Sequence, residues 1–380
     1  MSFALTEDQI AIREMAEGFS AEHIAPHALA WDEAKHFPVE TLRAAAALGM
    51  AGIYVDTEHG GSGLGRADAV LIFEALAKGC PTVAAFLSIH NMCAWMVDTY
   101  GDADQRARWV PALTGMDTIA SYCLTEAASG SDAASLRTRA ERDGDHYVLN
   151  GEKQFISGAG VSDLYIVLAR TGGPGADGIS AIVVEKDTPG LSFGANERKM
   201  GWNAQPTRAV RFDDVRVPVD HRLGAEGQGF RMAMAGLDGG RLNIAACSLG
   251  GAQGALDRTL AYMAERRAFG RVLTDFQALQ FRLADMATGL EVSRAFLRHA
   301  AAALDAKAPE ATRLCAMAKR HVTDTAFDVA NDALQLHGGY GYLAEYGIEK
   351  IVRDLRVHQI LEGTNEIMRL IVARTLIGSR

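Results

Sequence analysis

Asp143-Gly144-Asp145-His146-Tyr147-Val148-Leu149-Asn150-Gly151 marks where the chain leaves one hydrophobic period for another. Asp-Gly and Asn-Gly are favoured in two-residue hairpin turns, whose central positions need positive φ. The run His146–Leu149 between them reads as a short strand. Two further strand-like runs, Leu164–Ala169 and Ile179–Glu185, flank a Gly/Pro-rich loop at 172–178. Several antiparallel strands at close spacing suggest a compact barrel or sandwich.

On either side the period is helical. Thr6 with Gln9 forms a capping-box pattern, with Leu5 and Ile10 placed for a hydrophobic staple. Pro38 suits a first helical position, and Gly49 a stop for Val39–Leu48. Helical patterning follows in 66–79, 83–100 and 104–114. The run Gly60-Gly61-Ser62-Gly63-Leu64-Gly65 matches neither GxGxxG nor the Walker spacing, so a flexible connector is expected there. From about 229 the helical period returns. Leu249, Leu256, Leu260 and Met263 share one face; so do Leu279, Leu283, Met286, Leu290 and Leu297, and Ile348, Ile351, Val352 and Leu355. Long amphipathic helices joined by short loops make a bundle. The expected fold class is α+β, mostly α, in three domains: 1–118 helical, 119–228 β and 229–380 a helical bundle.

The 380 residues fit that count. A net charge of −9 argues against nucleic-acid binding, which calls for a basic face. It leaves room for an anionic ligand held by a few local arginines. Cys80, Cys93, Cys123, Cys247 and Cys315 are scattered and odd in number, which fits a reduced interior better than a disulfide framework. No run of about 18 apolar residues suggests a membrane span. Met1-Ser2-Phe3-Ala4 leads straight into a helix signal without a targeting pattern, so a cytoplasmic protein is expected.

Five segments carry chemical potential, and each has an ordinary reading beside it. Tyr122-Cys123-Leu124-Thr125-Glu126-Ala127-Ala128-Ser129-Gly130-Ser131-Asp132 offers hydroxyls and exposed amides suited to a pyrophosphate or flavin edge, or is simply a turn. Phe155-Ile156-Ser157-Gly158 could pack on a planar cofactor or end a strand. Glu265-Arg266-Arg267-Ala268-Phe269-Gly270, with Gln277 beyond, could clamp a phosphate or close a helix. Leu334-Gln335-Leu336-His337-Gly338-Gly339-Tyr340-Gly341-Tyr342 lets something flat approach the backbone, or stops a helix. In His358-Gln359-Ile360-Leu361-Glu362-Gly363-Thr364-Asn365-Glu366, Glu362 is either a solvated glutamate near a helix start or a general base made basic by desolvation.

Taken in order and at their spacing, these segments resemble the acyl-CoA dehydrogenase family over essentially the whole chain. Tyr-x-Leu-Thr-Glu-x3-Gly-Ser-Asp at 122–132, Glu-Arg-Arg-x-Phe-Gly at 265–270, Gly-Gly-Tyr-Gly-Tyr at 338–342 and Glu-Gly-Thr-Asn-Glu at 362–366 look like four of its signatures. Ala127-Ala128 departs from the family's proline and small residue. The resemblance implies a helical N-terminal domain, a middle antiparallel β-barrel, a C-terminal four-helix bundle, and FAD between domains.

By matching positions, Tyr122, Leu124, Thr125, Gly130, Ser131, Phe155, Ile156 and Ser157 would lie along the flavin. Arg266, Phe269, Gln277, Gln335, Gly339, Thr364 and Glu366 would hold the rest of FAD. Some of these come from a neighbouring subunit in the family, implying a homo-oligomer, a tetramer. Asp238, Arg241, Ser131 and Gly363 would contact acyl-CoA. Glu362 would take the α-proton while the β-hydride passes to flavin N5, and an electron-transfer flavoprotein would accept the electrons. In one branch of the family the base sits one residue before the arginine matching Arg241; that position here is Gly240, which cannot be a base. No metal is expected.

The stretches 157–160, 170–175, 201–210 and 237–244 resemble the valine-catabolic branch that converts isobutyryl-CoA to methacrylyl-CoA, with 2-methylbutyryl-CoA and butyryl-CoA as runners-up. An oxidase or monooxygenase on the same fold, and a non-catalytic acyl-CoA-binding scaffold, are the readings of another class.

Overall fold

The computed structural model describes residues 4–378; Met1–Phe3, on which the compartment expectation partly rested, lie outside the described residues. The first unit is helical: α1 (Glu7–Phe19), α2 (Ala28–Ala34), α3 (Val39–Ala46), α4 (Arg66–Gly79), α5 (Pro81–Tyr100) and α6 (Ala103–Thr114). Helix α1 opens on the expected capping box, in which Thr6 and Gln9 satisfy each other's backbone amides. The 60–65 run connects two elements but is not loose. Gly61, Ser62, Gly63 and Leu64 each donate a backbone hydrogen bond to residues 52–56.

The strands of the middle unit are β1 (Ala120–Cys123), β2 (Arg139–Asp143), β3 (His146–Ser157), β4 (Leu164–Arg170), β5 (Ile179–Glu185), β6 (Leu191–Phe193), β7 (Thr207–Pro218) and β8 (Arg222–Leu223). They form one eight-stranded sheet in the order β6-β7-β3-β2-β4-β5-β8, with β1 also on β4. Two expectations are corrected here. The sheet is mixed, because β1 and β2 both run parallel to β4, and it is not closed into a barrel. Strands β2 and β4 meet only at Arg139 and Arg170, and the short end strands β6 and β8 do not pair with each other. The sheet instead bends so that β3 and β7 cover one face of β4 and β5.

Periodicity shows why β4 reads as a continuous apolar run. Tyr165, Val167 and Ala169 face β3 and β7, whereas Leu164, Ile166 and Leu168 face α5 and α6, so both sides are buried. A further correction concerns Asn150-Gly151. Asp143-Gly144 does close a hairpin, with Asp143 opposite His146. Strand β3 runs on through Asn150-Gly151, which forms a bulge against β7. Asn150 is held there by exchanging hydrogen bonds with Asp214, at 2.9 and 3.0 Å. Gly151 is required because its φ is +143° and a Cβ would meet Thr138 Oγ1 at 2.7 Å.

The last unit contains α7 (Gly229–Glu265), α8 (Gln277–Asp305), α9 (Ala311–Leu336), α10 (Ile348–Arg356) and α11 (Asn365–Ile377). Residues Gly236–Ala252 of α7 are buried on every side, so this helix is the axis on which the helical units meet. A Cβ at Gly250 would stand 2.0 Å from Glu74 O, so glycine sets how closely α4 and α7 approach. The core continues without a break from the first helical unit into the last.

Candidate active site

The turn between α10 and α11 carries Glu362. Thr364 caps α11 by accepting from Ile367 N at 3.3 Å, which fixes where the helix begins. The two residues before it are left-handed, Glu362 at φ 53° and Gly363 at φ 89°. A glutamate in that region is uncommon, and it is held there by its surroundings. On one side His358 is fully buried: Trp202 Nε1–H donates to its Nε2 at 3.1 Å, and its Nδ1 lies 2.7 Å from Ser248 Oγ. Burial, then the charge of Lys319, pushes the His358 pKa down to about 3, so the ring is neutral. On the other side, the buried Lys319 of α9 donates to Gly363 O at 2.8 Å and to Asn365 Oδ1 at 2.9 Å.

The Glu362 Oε2 atom is buried and has no hydrogen-bond partner among the described residues. It points at α7, where a Cβ on Gly240 would stand 2.5 Å from it. The Gly240 position and the Glu362 carboxylate thus compete for the same space. Desolvation raises the Glu362 pKa to about 7, against the opposing charges of Lys319 and Arg241. The Glu362 backbone N–H also makes no hydrogen bond among the described residues. Tyr54, Tyr122 and Cys247 lie close enough to feel its charge.

Arg241 and Asp238 form a buried ion pair at 2.6 Å, and Thr312 donates to the other Asp238 oxygen at 2.6 Å. Tyr122, on β1, has a buried hydroxyl with no partner among the described residues. Leu124 is buried, Thr125 half-buried, and Gly130 and Ser131 are exposed. This segment is anchored by a buried pair, since Lys153 Nζ donates to Glu126 Oε1 at 2.8 Å and Leu124 O at 3.0 Å. Thr125 O accepts from Gln154 N at 2.8 Å, and Ser157 O accepts from Ser121 Oγ at 2.6 Å. Phe155 stands at a bulge with φ 61°, its ring exposed beside the buried Ile156.

The other expected residues gather elsewhere. Arg266, Gln335 and Gly339 line one surface groove of ≈ 650 Å³ with Tyr262, His337 and Tyr340. Arg266 lies over the Tyr340 ring at 5.0 Å. Phe269 is 95 % exposed, Gln277 starts α8 in solvent, and Glu366 is exposed on α11. None of Tyr122, Thr125, Ser131 or Ser157 lines that groove. Lys319 and Tyr54 stand outside every motif that the sequence offers. Lys319 carried a signal: it stands on the apolar stripe of Cys315, Val322 and Ala326, where a charge is out of place.

Comparison with known proteins follows the same division of the chain. Residues 6–117, 121–215 and 227–377 match the models of the acyl-CoA dehydrogenase N-terminal, middle and C-terminal domains. The chain is 54 % identical to the mitochondrial isobutyryl-CoA dehydrogenase of Bos taurus, over 99 % of its own length and 90 % of that protein. It is 55 % identical to the mitochondrial isobutyryl-CoA dehydrogenase of Dictyostelium discoideum over the same shares. The structure of butyryl-CoA dehydrogenase from Megasphaera elsdenii superposes with a TM-score of 0.96 at 36 % identity, covering 99 % of this chain and all of that one. The cytoplasmic expectation is corrected by these relatives, both of which are mitochondrial. The first residues of this chain carry no weight against that, because each relative extends beyond the matched region.

Proposed function

Since the chain belongs to the acyl-CoA dehydrogenase family, we propose that it oxidises isobutyryl-CoA to methacrylyl-CoA with Glu362 as the base. Its class is FAD-dependent dehydrogenation of a short acyl-CoA. The observation that carries the base assignment is the unpartnered, buried Oε2 of Glu362, whose pKa near 7 suits proton abstraction from a weak carbon acid. The carboxylate takes the α-proton. The Glu362 N–H, which has no partner among the described residues, would donate to the thioester oxygen as negative charge develops there.

The residues fit FAD. Tyr122 Oη is a buried polar atom without a partner among the described residues, and a Cβ at Gly130 or Gly339 would meet none of their atoms within 4 Å, so the backbone is open to a ligand at both places. Tyr122, Leu124, Thr125, Gly130, Ser131, Phe155, Ile156 and Ser157 would hold one part. Arg266, Phe269, Gln277, Gln335, Gly339, Thr364 and Glu366 would hold the other. When bound, FAD supplies the acceptor for the hydride lost from Cβ. The separation of the 122–157 set from the groove of Arg266, Gln335 and Gly339 supports a homotetramer in which subunits complete each other's sites. Asp238, Arg241, Ser131 and Gly363 would lie toward the acyl-CoA, and an electron-transfer flavoprotein would be the acceptor.

Higher identity to the two isobutyryl-CoA dehydrogenases than to the butyryl-CoA dehydrogenase supports the branched substrate. Steady-state kcat/KM with isobutyryl-CoA, 2-methylbutyryl-CoA and butyryl-CoA tests it. 2-Methylbutyryl-CoA carries one more methylene than isobutyryl-CoA, worth about 10–200-fold, so isobutyryl-CoA is expected to lead it by at least about tenfold and also to lead its straight-chain isomer butyryl-CoA. Equal values for isobutyryl-CoA and butyryl-CoA would refute the branched-chain choice.

A further inference from the structure

The turn that presents Glu362 cannot hold its own shape, because both Glu362 and Gly363 are left-handed and neither lies in a helix. One face of α9 supplies the missing restraint. Lys319, Thr323 and Asp324 stand one helical turn apart or adjacent, so all three project toward α11. Lys319 Nζ holds the Gly363 carbonyl and the Asn365 side chain. Thr323 Oγ1 accepts from Asn365 Nδ2 at 3.0 Å. Asp324 Oδ1 accepts from Gln359 Nε2 at 2.9 Å and from Asn365 Nδ2 at 2.7 Å. One carboxylate oxygen therefore clasps the chain three residues before Glu362 and three residues after it.

Lys319 is the centre of this template and has no other evident reason to be buried. A fully buried lysine forfeits its hydration, and burial lowers its pKa to about 8 in spite of Glu362. It makes no ion pair with a carboxylate within 4.0 Å among the described residues. Its ammonium is spent on a backbone carbonyl and an amide of the turn.

Resting on the base assignment above, we propose that Lys319 is a positioning residue: its ammonium locks the Glu362–Gly363 turn and supplies the cation that keeps the base ionisable. Its ammonium reaches the Gly363 carbonyl and the Asn365 side chain, so it would act through Glu362 and not on the substrate itself. The groups facing Glu362 are Lys319 from α9, Arg241 and Cys247 from α7, Tyr122 from β1, and Tyr54. Those facing Lys319 include Arg241, Asp324 and Glu366 besides Glu362. Among the described residues only Lys319 and Arg241 favour the Glu362 carboxylate, and Arg241 is already paired with Asp238.

Two variants separate the two roles. Lys319→Gln keeps a donor for the Gly363 carbonyl but removes the charge; Lys319→Met removes both. The substrate-independent reading is the Glu362 carboxyl titration in the FAD-loaded protein, followed by infrared difference spectra with labelled glutamate and assigned by its loss in Glu362→Gln. In Lys319→Gln the titration midpoint, about 7 in the unaltered chain, is expected to move upward. In Lys319→Met anaerobic flavin reduction is expected to slow about 100-fold, the cost of displacing a catalytic group by about 1 Å, and Lys319→Gln by less. An unmoved midpoint in Lys319→Gln overturns the inference even if Lys319→Met fails to fold. Lack of reduction of the unaltered protein by any short acyl-CoA would instead overturn the functional reading, while the titration still decides the role of Lys319.

Discussion

Gly240→Ala isolates the space that the base requires. The added Cβ would stand 2.5 Å from Glu362 Oε2, 3.3 Å from Cδ and 3.8 Å from Oε1, and contacts under 3.0 Å are essentially never seen. To reach ordinary contact at 3.4 Å the carboxylate must retreat by about 0.9 Å. Its turn is held on both sides, through His358 and through Lys319, Asn365 and Asp324, so the movement falls on the carboxylate itself. A displacement of about 1 Å costs on the order of 100-fold in rate, or about 2.7 kcal/mol of barrier. Stability should move the other way. Gly240 lies inside α7 in helical conformation, where alanine is favoured over glycine by about 0.8–1.0 kcal/mol, and the clashing atom is the end of a side chain. Stopped-flow anaerobic reduction by isobutyryl-CoA, beside a thermal melt, reads both quantities. A variant that melts no lower than the unaltered protein yet reduces about 100-fold more slowly is expected. Reduction within twofold of the unaltered rate would refute the geometry, and a rate loss accompanied by a matching loss of stability would reduce it to general packing damage.

Four more outcomes follow from the same structure. Because Glu362 must be ionised to act, the reduction rate should rise with pH through about 7, which a pH–rate profile checks. The same raised pKa means the folded state binds a proton that the unfolded state has lost, so this contribution is present at low pH and fades as pH rises through 7. Glu362→Gln should therefore raise Tm more at pH 8 than at pH 5. Glu126→Ala would strand Lys153, which is 0 % exposed, and is expected to cost about 3–5 kcal/mol by chemical denaturation. Burial opposes ionisation of Glu126, but Lys153 and the Thr138 and Arg137 amides prevail and hold its pKa low, so the carboxylate is ionised at neutral pH, while burial lowers the Lys153 pKa against the pull of Glu126. Tyr122→Phe removes a hydroxyl with no protein partner, so the FAD-free chain should melt no lower; FAD should dissociate faster, by about 0.5–1.5 kcal/mol of affinity for one lost hydrogen bond.

The helical, β, helical order was legible because period alone separates the units, and Ile179–Glu185 or the α4 range 66–79 could be read to the residue. The topology of the sheet was not. Asp-Gly and Asn-Gly look alike as turn dipeptides, and only the side-chain exchange with Asp214, sixty-four residues away, turns the second into a bulge. The parallel pairing of β1 with β4 is likewise a long-range fact with no local signature. At the site, motif spacing found Glu362 and the emptied Gly240, but nothing in the chain says that the two share one space. Lys319 was visible only as a charge on an apolar face, and its task depends on a turn forty-four residues further on. Arg241 and Asp238, expected toward the acyl-CoA, pair with each other, which a spacing of three along a helix permits but does not require.

The most direct test of Glu362 as the base is an anaerobic titration of the purified protein with isobutyryl-CoA, following flavin absorbance, beside Glu362→Gln. Bleaching near 450 nm, about where oxidised flavins absorb, is expected in the unaltered protein and absent in the variant. Equal bleaching of both proteins would contradict the assignment.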